Sequence, residues 1–467
     1  MEQPVGTAPS FRYTVMARID RLPPSRYLVK LVARIATGGW FEFYELFMPG
    51  FISLGLVNAG IYSLSPGSMF DPQLFASFLA SFFFGMFLSA AVFSFISDRL
   101  GRRAIFIQSM VVYSIAQLSI AFLSNPAAID SARFIAGIAV GMQLINNDSY
   151  ITELTPRATR GRYMTAAYVF VLSAIPVAAF LAAALVPHAP FGVDGWRIVV
   201  AIGAVGGILV LWIQRGLPES PRWLESKGRI AEADLQVAKI EAAVTAELGR
   251  PLPTPSAEAV DTTAGKGRWT EMFSPFYRRR TIVISVFQFS QTIAVFGFTS
   301  FVPVLLVKQG FTIIHSLYYT AMIVLLAPVG AACASYFAER IERKWQLVGS
   351  AVMIAAAGTV FANAHTVPVV MISGGLISFF NNWLIAIFHP YAAELFPTRI
   401  RARAVGFTFS WSRISSIFVG YWVASLLAKF GPPGVFAMIA VAMLAIVIGV
   451  GVFGPRTNGK SLEVLSP

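Results

Sequence analysis

Charge is what this chain has least of. Only 13% of its 467 residues are Asp, Glu, Lys or Arg, about half the roughly 25% of an ordinary soluble globule. Cysteine is almost absent: Cys333 stands alone, which excludes an intrachain disulfide framework and a zinc ribbon. No His/Cys cluster suggests a metal. No Gly-x-x-x-x-Gly-Lys-Thr is present either, so ATP is not the energy source through a P-loop. The first thirty residues are polar and basic with no apolar core, so no secretory signal peptide is expected. Nothing points to an enzyme or to a bound cofactor.

Apolar length is what the chain does have. Hydrophobic residues make up 56% of it and the mean hydropathy is +0.67. Segments such as 104–123, 163–185 and 435–453 approach or exceed the ~18–20 residues that cross a bilayer as helix. Length alone would allow two or three soluble domains, but these runs call for an all-α, multi-pass membrane protein. Breaks in the pattern give twelve spans: 31–57, 72–97, 104–124, 132–152, 162–186, 196–214, 281–307, 314–338, 345–364, 367–391, 404–427 and 432–453.

The basic residues test that count. With both termini cytoplasmic, the tails and inner loops hold 31 of the 36 Lys and Arg, as the positive-inside rule requires. The exceptions are Arg133, Arg197, Lys308, Arg413 and Lys429. The net charge of +13 follows from topology, and no nucleic-acid partner is read from it, because these groups flank membrane helices.

One fixed offset reveals a duplication. Asp98-Arg99-Leu100-Gly101-Arg102-Arg103 follows span 2, and Glu339-Arg340-Ile341-Glu342-Arg343-Lys344 follows span 8, 241 positions later. Glu153-Leu154-Thr155-Pro156 with Arg160 follows span 4, and Glu394-Leu395-Phe396-Pro397 with Arg401 follows span 10, at the same spacing. The chain therefore divides into a six-helix bundle over 1–214, a central loop over 215–280 with a helix-favouring stretch at 219–248, and a second bundle with its tail over 281–467. Parallel halves of this kind rock about a site near the bilayer midplane.

The loop after span 2 resembles the major facilitator signature Gly-x-x-x-Asp-Arg-x-Gly-Arg-Arg, with Ser94 at the first glycine. Leu217-Pro218-Glu219-Ser220-Pro221-Arg222-Trp223-Leu224 and Pro455-x-Thr457-x-Gly459-Lys460-x-Leu462-Glu463 are similar to motifs of its sugar-porter and organic-ion branches. The resemblance spans the chain and implies two pseudo-symmetric six-helix bundles, a monomer in the cell inner membrane, and alternating access.

Charges that repeat sort from charges that do not. Asp98, Arg99, Arg102, Glu153, Arg160, Glu339, Arg340, Glu394 and Arg401, with Glu219 and Arg222, are expected at cytoplasmic helix ends as an inner gate that pairs when that side closes. Glu42 and Glu45 have no counterpart: Val283 and Val286 stand at the matching positions. Three residues apart, they share one helix face, and at membrane depth a carboxylate is costly unless protonated, paired or facing water. Aromatic-acid and metabolite:proton symporters of the superfamily carry a similar Asp-x-x-Asp there, which implies proton coupling. Arg133 resembles the family's fourth-span arginine, linked to the same role, and a plain pairing of the acids with a helix-end base or with Arg133 is the alternative.

Arg413 in span 11 costs roughly 2.5–3.5 kcal/mol to insert and has the apolar Leu172 as its offset partner. Organic-ion relatives carry a similar Ser-Arg-Ile, implying an anionic substrate, although a fixed pairing with Glu42 or Glu45 would also account for it. Tyr44, Gln288, Gln291, Asn381, Asn382, Trp383 and Trp411 are candidate substrate contacts, and Asp148 is placed near the gate. The expected function is proton-coupled symport of a small organic anion, a carboxylate or aromatic acid. A sugar porter, an organic-cation or drug antiporter, and a solute-sensing receptor are the alternatives.

Overall fold

The structure is a computed structural model that describes residues 14–64, 71, 73–92, 100–255 and 268–458. Its described residues form helices joined by turns and loops and contain no strand, only one β-bridge between Ser63 and Leu74 in the connection between spans 1 and 2. Every expected span has its helix. Spans 1 to 4 are Arg26–Asn58, Phe75–Val92, Arg102–Ile120 and Pro126–Leu154. Span 5 is Arg160–Leu172 continued by Ala174–Leu185, and span 6 is Gly195–Ile213. Span 7 is Pro275–Thr299, span 8 is Ile313–Val324 continued by Leu326–Phe337, span 9 is Arg343–Ala362 and span 10 is Val367–Glu394.

The last helix, Thr398–Phe453, has 56 residues. At 1.5 Å per residue that is about 84 Å, far beyond a ~30 Å hydrocarbon layer, so it must double back. It does so at Gly431, whose φ of 66° lies in the left-handed region that glycine adopts without strain, followed by Pro432 and Pro433. Spans 11 and 12 are its two limbs. The interruptions in spans 5 and 8 have a similar cause. Pro176 and Pro328 each meet the carbonyl four residues earlier, and the first helical pieces end at those residues, Leu172 and Val324.

Spans pack closely where a side chain is missing. A Cβ on Gly137 would come 2.1 Å from the Phe82 carbonyl oxygen and one on Gly85 2.2 Å from that of Phe134, so spans 2 and 4 touch backbone to backbone. Large apolar residues stay exposed on spans 3, 6, 9 and 12, among them Ile115, Trp212, Val352 and Val441. That belt faces lipid.

Call inner the side that carries Thr14 and Asn458. The two halves meet at their outer ends. Gly50 lies against the Ser300 backbone and Gly420 against Ala76. Phe296 stacks on Phe47 at 5.8 Å and packs on Phe83 at 4.6 Å, and Phe301 meets Phe75 at 5.8 Å.

The central loop is shared between the halves. Its helix Ile230–Leu248 belongs with the first: Arg18 binds Asp234 at 3.2 Å and Glu241 at 2.6 Å, and Arg21 binds Glu241 at 2.7 Å. Glu247 caps span 1, accepting from the Arg26 and Tyr27 backbone N–H groups at 2.6 and 2.7 Å. On the other half, Glu271 pairs with Arg399 at 2.6 Å. Burial pushes the Glu241 carboxyl up, but the bonds and charges of Arg18 and Arg21 together outweigh it and hold the group below its ordinary value. A depressed carboxyl contributes stability in full above its unfolded pKa and loses it as pH falls through the folded one. Protection of the Val15–Asp20 amides, corrected for intrinsic exchange rates, should therefore be constant near neutrality and fall below about pH 4. In Glu241→Gln the loss should already be present at pH 7.

Candidate functional site

The two acids of span 1 have different surroundings. Glu45 and Arg133 form an ion pair in which both side chains are 0% exposed. The Arg133 guanidinium also lies over the rings of Phe78 at 4.6 Å and Phe82 at 4.2 Å, and the Tyr113 hydroxyl donates to Glu45 at 3.4 Å. The pair is sealed inside the first half, among spans 1 to 4. Glu42 is also buried, but its only hydrogen bond among the described residues comes from the Asn147 amide at 3.1 Å, and its second oxygen has no partner. Beside it runs a crevice lined by Ser109, Met110, Tyr113 and Gln143, too narrow to hold a water molecule.

Between the halves lies a chain of rings with a cation at one end. Phe43, next to Glu42, meets Tyr168 edge-on at 6.1 Å. Tyr168 faces His389 of span 10 at 6.5 Å, and His389 faces Phe409 of span 11 at 6.5 Å. The Arg413 guanidinium sits 5.1 Å from the Phe409 ring. Arg413 is half-buried and has no ion pair or hydrogen bond among the described residues, so it is not a fixed partner of Glu42 or Glu45. Asp148 and His389 are exposed although they lie about 8–9 Å inside the inner ends of their helices at 1.5 Å per residue. The space between the halves is therefore open on the inner side and shut at the outer seam.

The other expected substrate contacts divide. Gln291 is half-buried and donates to Gln288 at 3.2 Å. Asn382 donates to the Ser378 carbonyl at 2.9 Å, while Asn381 is buried with neither amide atom bonded among the described residues. Tyr44, Trp383 and Trp411 are not brought to the ring chain. Tyr44 donates to the Val199 carbonyl of span 6 at 2.8 Å. Trp383 donates to Gln346 of span 9 at 3.0 Å and stacks on Phe337. Trp411 is 37% exposed and lies about 200° around its helix from both Phe409 and Arg413.

At the inner helix ends, the pairs seen join charges within a half rather than across the halves. Arg102 binds Glu153 at 3.2 Å and Arg343 binds Glu394 at 2.9 Å. Glu219 accepts from the backbone N–H of Arg102 at 2.9 Å and of Arg103 at 3.2 Å. Arg160 donates to the Thr155 carbonyl and Arg401 to the Phe396 carbonyl. Arg340 lies over Tyr336, and Glu339 and Arg222 are exposed. Asp98 and Arg99 lie outside the described residues.

With that geometry in view, the relatives can be set beside it. The profile of the sugar (and other) transporter family matches residues 35–467. This chain belongs to that family. It is a multi-pass transporter of the major facilitator superfamily. A putative metabolite transport protein of Bacillus subtilis (strain 168) is 31% identical over 446 residues, covering 95% of this chain and 96% of that protein. The niacin transporter of Acinetobacter baylyi is 29% identical over 453 residues, covering 96% and 99%. The solved D-xylose–proton symporter superposes with a TM-score of 0.71 at 18% identity, over 93% of this chain and 100% of that one, which shows a common fold. These relatives are transporters rather than enzymes.

Three participants in the transporter's inner ends escaped the sequence reading. Arg343 is the 241-offset mate of Arg102 and makes the equivalent bond. Tyr150 donates to the Pro218 carbonyl and its mate Tyr391 to the Pro455 carbonyl at 3.0 Å, so the segment after each sixth helix is tied to its own half in the same way. Arg343 already stood in the duplicated motif as the mate of Arg102, and carrying the offset past the charged residues would have found the two tyrosines.

Proposed function

We propose that this transporter moves a small organic anion, a carboxylate or aromatic acid, together with protons across the cell inner membrane. It does so as a monomer with both termini cytoplasmic, by alternating access. The observation that carries the reading is Arg413 beside Phe409, half-buried at the end of the ring chain and without an ion pair or hydrogen bond among the described residues. A planar guanidinium offers a carboxylate two parallel hydrogen bonds, and the adjacent rings suit an apolar or aromatic body. The metabolite and niacin relatives fit such a cargo. Glu42 is the acid assigned to the proton: a buried carboxyl with one orphan oxygen and no cation beside it is tolerated in its neutral form. Glu45 already has Arg133. The inner-end charges named above act as the gate.

A sugar is the second reading, favoured by the Gln288–Gln291 amides and the family profile; it would leave Arg413 dispensable. The test is ligand-induced thermal stabilisation of purified protein across carboxylates, sugars and amines, followed by uptake of any binder into proteoliposomes. Carboxylate stabilisation with uptake that follows an inward proton gradient is expected. In Glu42→Gln the gradient response should vanish while exchange of internal for external substrate persists. Stabilisation by sugars alone would remove the anion reading, and a gradient response intact in Glu42→Gln would remove that proton site.

A further inference from the structure

Asp148 and His389 are 241 positions apart, so they are counterparts in the duplication, one on span 4 and the other on span 10. Counterparts that point toward the axis relating two parallel halves must face each other across it. The geometry agrees: His389 lies against Tyr168 of the opposite half at 6.5 Å, and the two groups are close enough for their charges to interact. Both are exposed in a space open to the inner side, and neither has an ion pair or hydrogen bond among the described residues. An acid and an imidazole at matched positions are what the duplication has made of one ancestral site.

We propose that Asp148 and His389 form a proton-dependent latch across the inner mouth. When the halves close on that side, protonated His389 meets the Asp148 carboxylate and holds the mouth shut. When the imidazole gives its proton to inner-side water, the attraction is lost and the mouth opens to the arrangement seen here. The other ionisable groups near Asp148 are Glu42 of span 1 and Tyr168 of span 5; Arg413 reaches His389 only through Phe409. Tyr168 stays neutral through the relevant range, since a phenol titrates near 10. A second negative charge on Glu42 would add to the attraction for the imidazolium, and its protonation would weaken it. His389 is thus a positioning residue for the transport cycle, separate from the substrate cation Arg413.

The inference rests on the two-half carrier fold and not on the identity of the cargo, so it is tested without substrate. Spin labels at Ala158→Cys and Ile341→Cys, both exposed near inner helix ends of opposite halves, in a Cys333→Ser background, report the mouth by double electron–electron resonance. Acidification should move population from the long to the short distance with a midpoint in the imidazole range, about pH 6–7. His389→Gln and Asp148→Asn should each abolish that pH response, and the exchanged pair Asp148→His with His389→Asp should restore it. The response should persist in Glu42→Gln, with its midpoint moved. A pH response retained in either single variant, or an exchanged pair that folds but fails to respond, would overturn the latch.

Discussion

Arg133→Leu is expected to lose roughly 3–5 kcal/mol of stability, because it strands the Glu45 carboxylate in a site that is 0% exposed and has no other cation pairing with it among the described residues. Both groups are fully buried, and no rearrangement short of opening the first half can hydrate the one left behind. Replacing both members by apolar residues of similar size should be far milder, near neutral, since it removes the desolvation cost along with the attraction. Leucine is shorter than arginine and gives up the guanidinium's contact with Phe78 and Phe82, so part of the loss is packing, and the double variant separates that part from the charge. Thermal unfolding of the purified single and double variants decides it. If Arg133→Leu alone unfolds like the parent, the pair is not a structural element. If the double variant is as unstable as the single one, the damage comes from packing.

Arg413→Ala should do the opposite: leave the fold nearly intact and destroy binding. Nothing among the described residues depends on Arg413, so removing it strands no partner, whereas an anionic ligand loses its charged contact. Truncating one side of a desolvated charge pair costs about 2–5 kcal/mol, so the apparent affinity should fall by about 30-fold or more. Arg413→Lys keeps the charge but not the planar fork, and it should recover only part of the loss. Titration of carboxylate-induced stabilisation, with uptake measured on the same variants, gives the answer. Unchanged affinity in Arg413→Ala would return the family's sugar chemistry to first place. Two arginines of one chain are thus expected to fail in contrary ways, one by unfolding and the other by losing its cargo.

How much of this was legible in the sequence depended on what kind of signal carried it. Span positions followed from apolar length, and the division into halves followed from charged loops in one register. The Thr398–Phe453 helix was already separable into two spans because Gly431-Pro432-Pro433 interrupts it. Facing was harder. A helix that is apolar on all sides carries no marked face, so Tyr44 and Trp383 could not be assigned to the centre or to spans 6 and 9 by periodicity. Glu42 and Glu45 share a face, and which of them meets Arg133 is set by the rotation of span 1 against span 4. Asp148 was legible near the gate, and its counterpart His389 stands 241 positions later in span 10. Their kinship was missed because matching halves by like residues overlooks a position where one copy became an acid and the other an imidazole.

The seam that shuts the outer end is made of glycine, alanine and phenylalanine, while the inner ends carry carboxylates, guanidiniums and an imidazole. Contacts of the first kind are indifferent to protons and little disturbed by added electrolyte, whereas those of the second respond to protons and weaken with salt. Buffer composition should therefore act on one door of the carrier and not on the other. A cell that changes its internal acidity or ionic strength would reset how long cargo waits for release and, because the two doors alternate, how often the carrier stands ready for cargo outside.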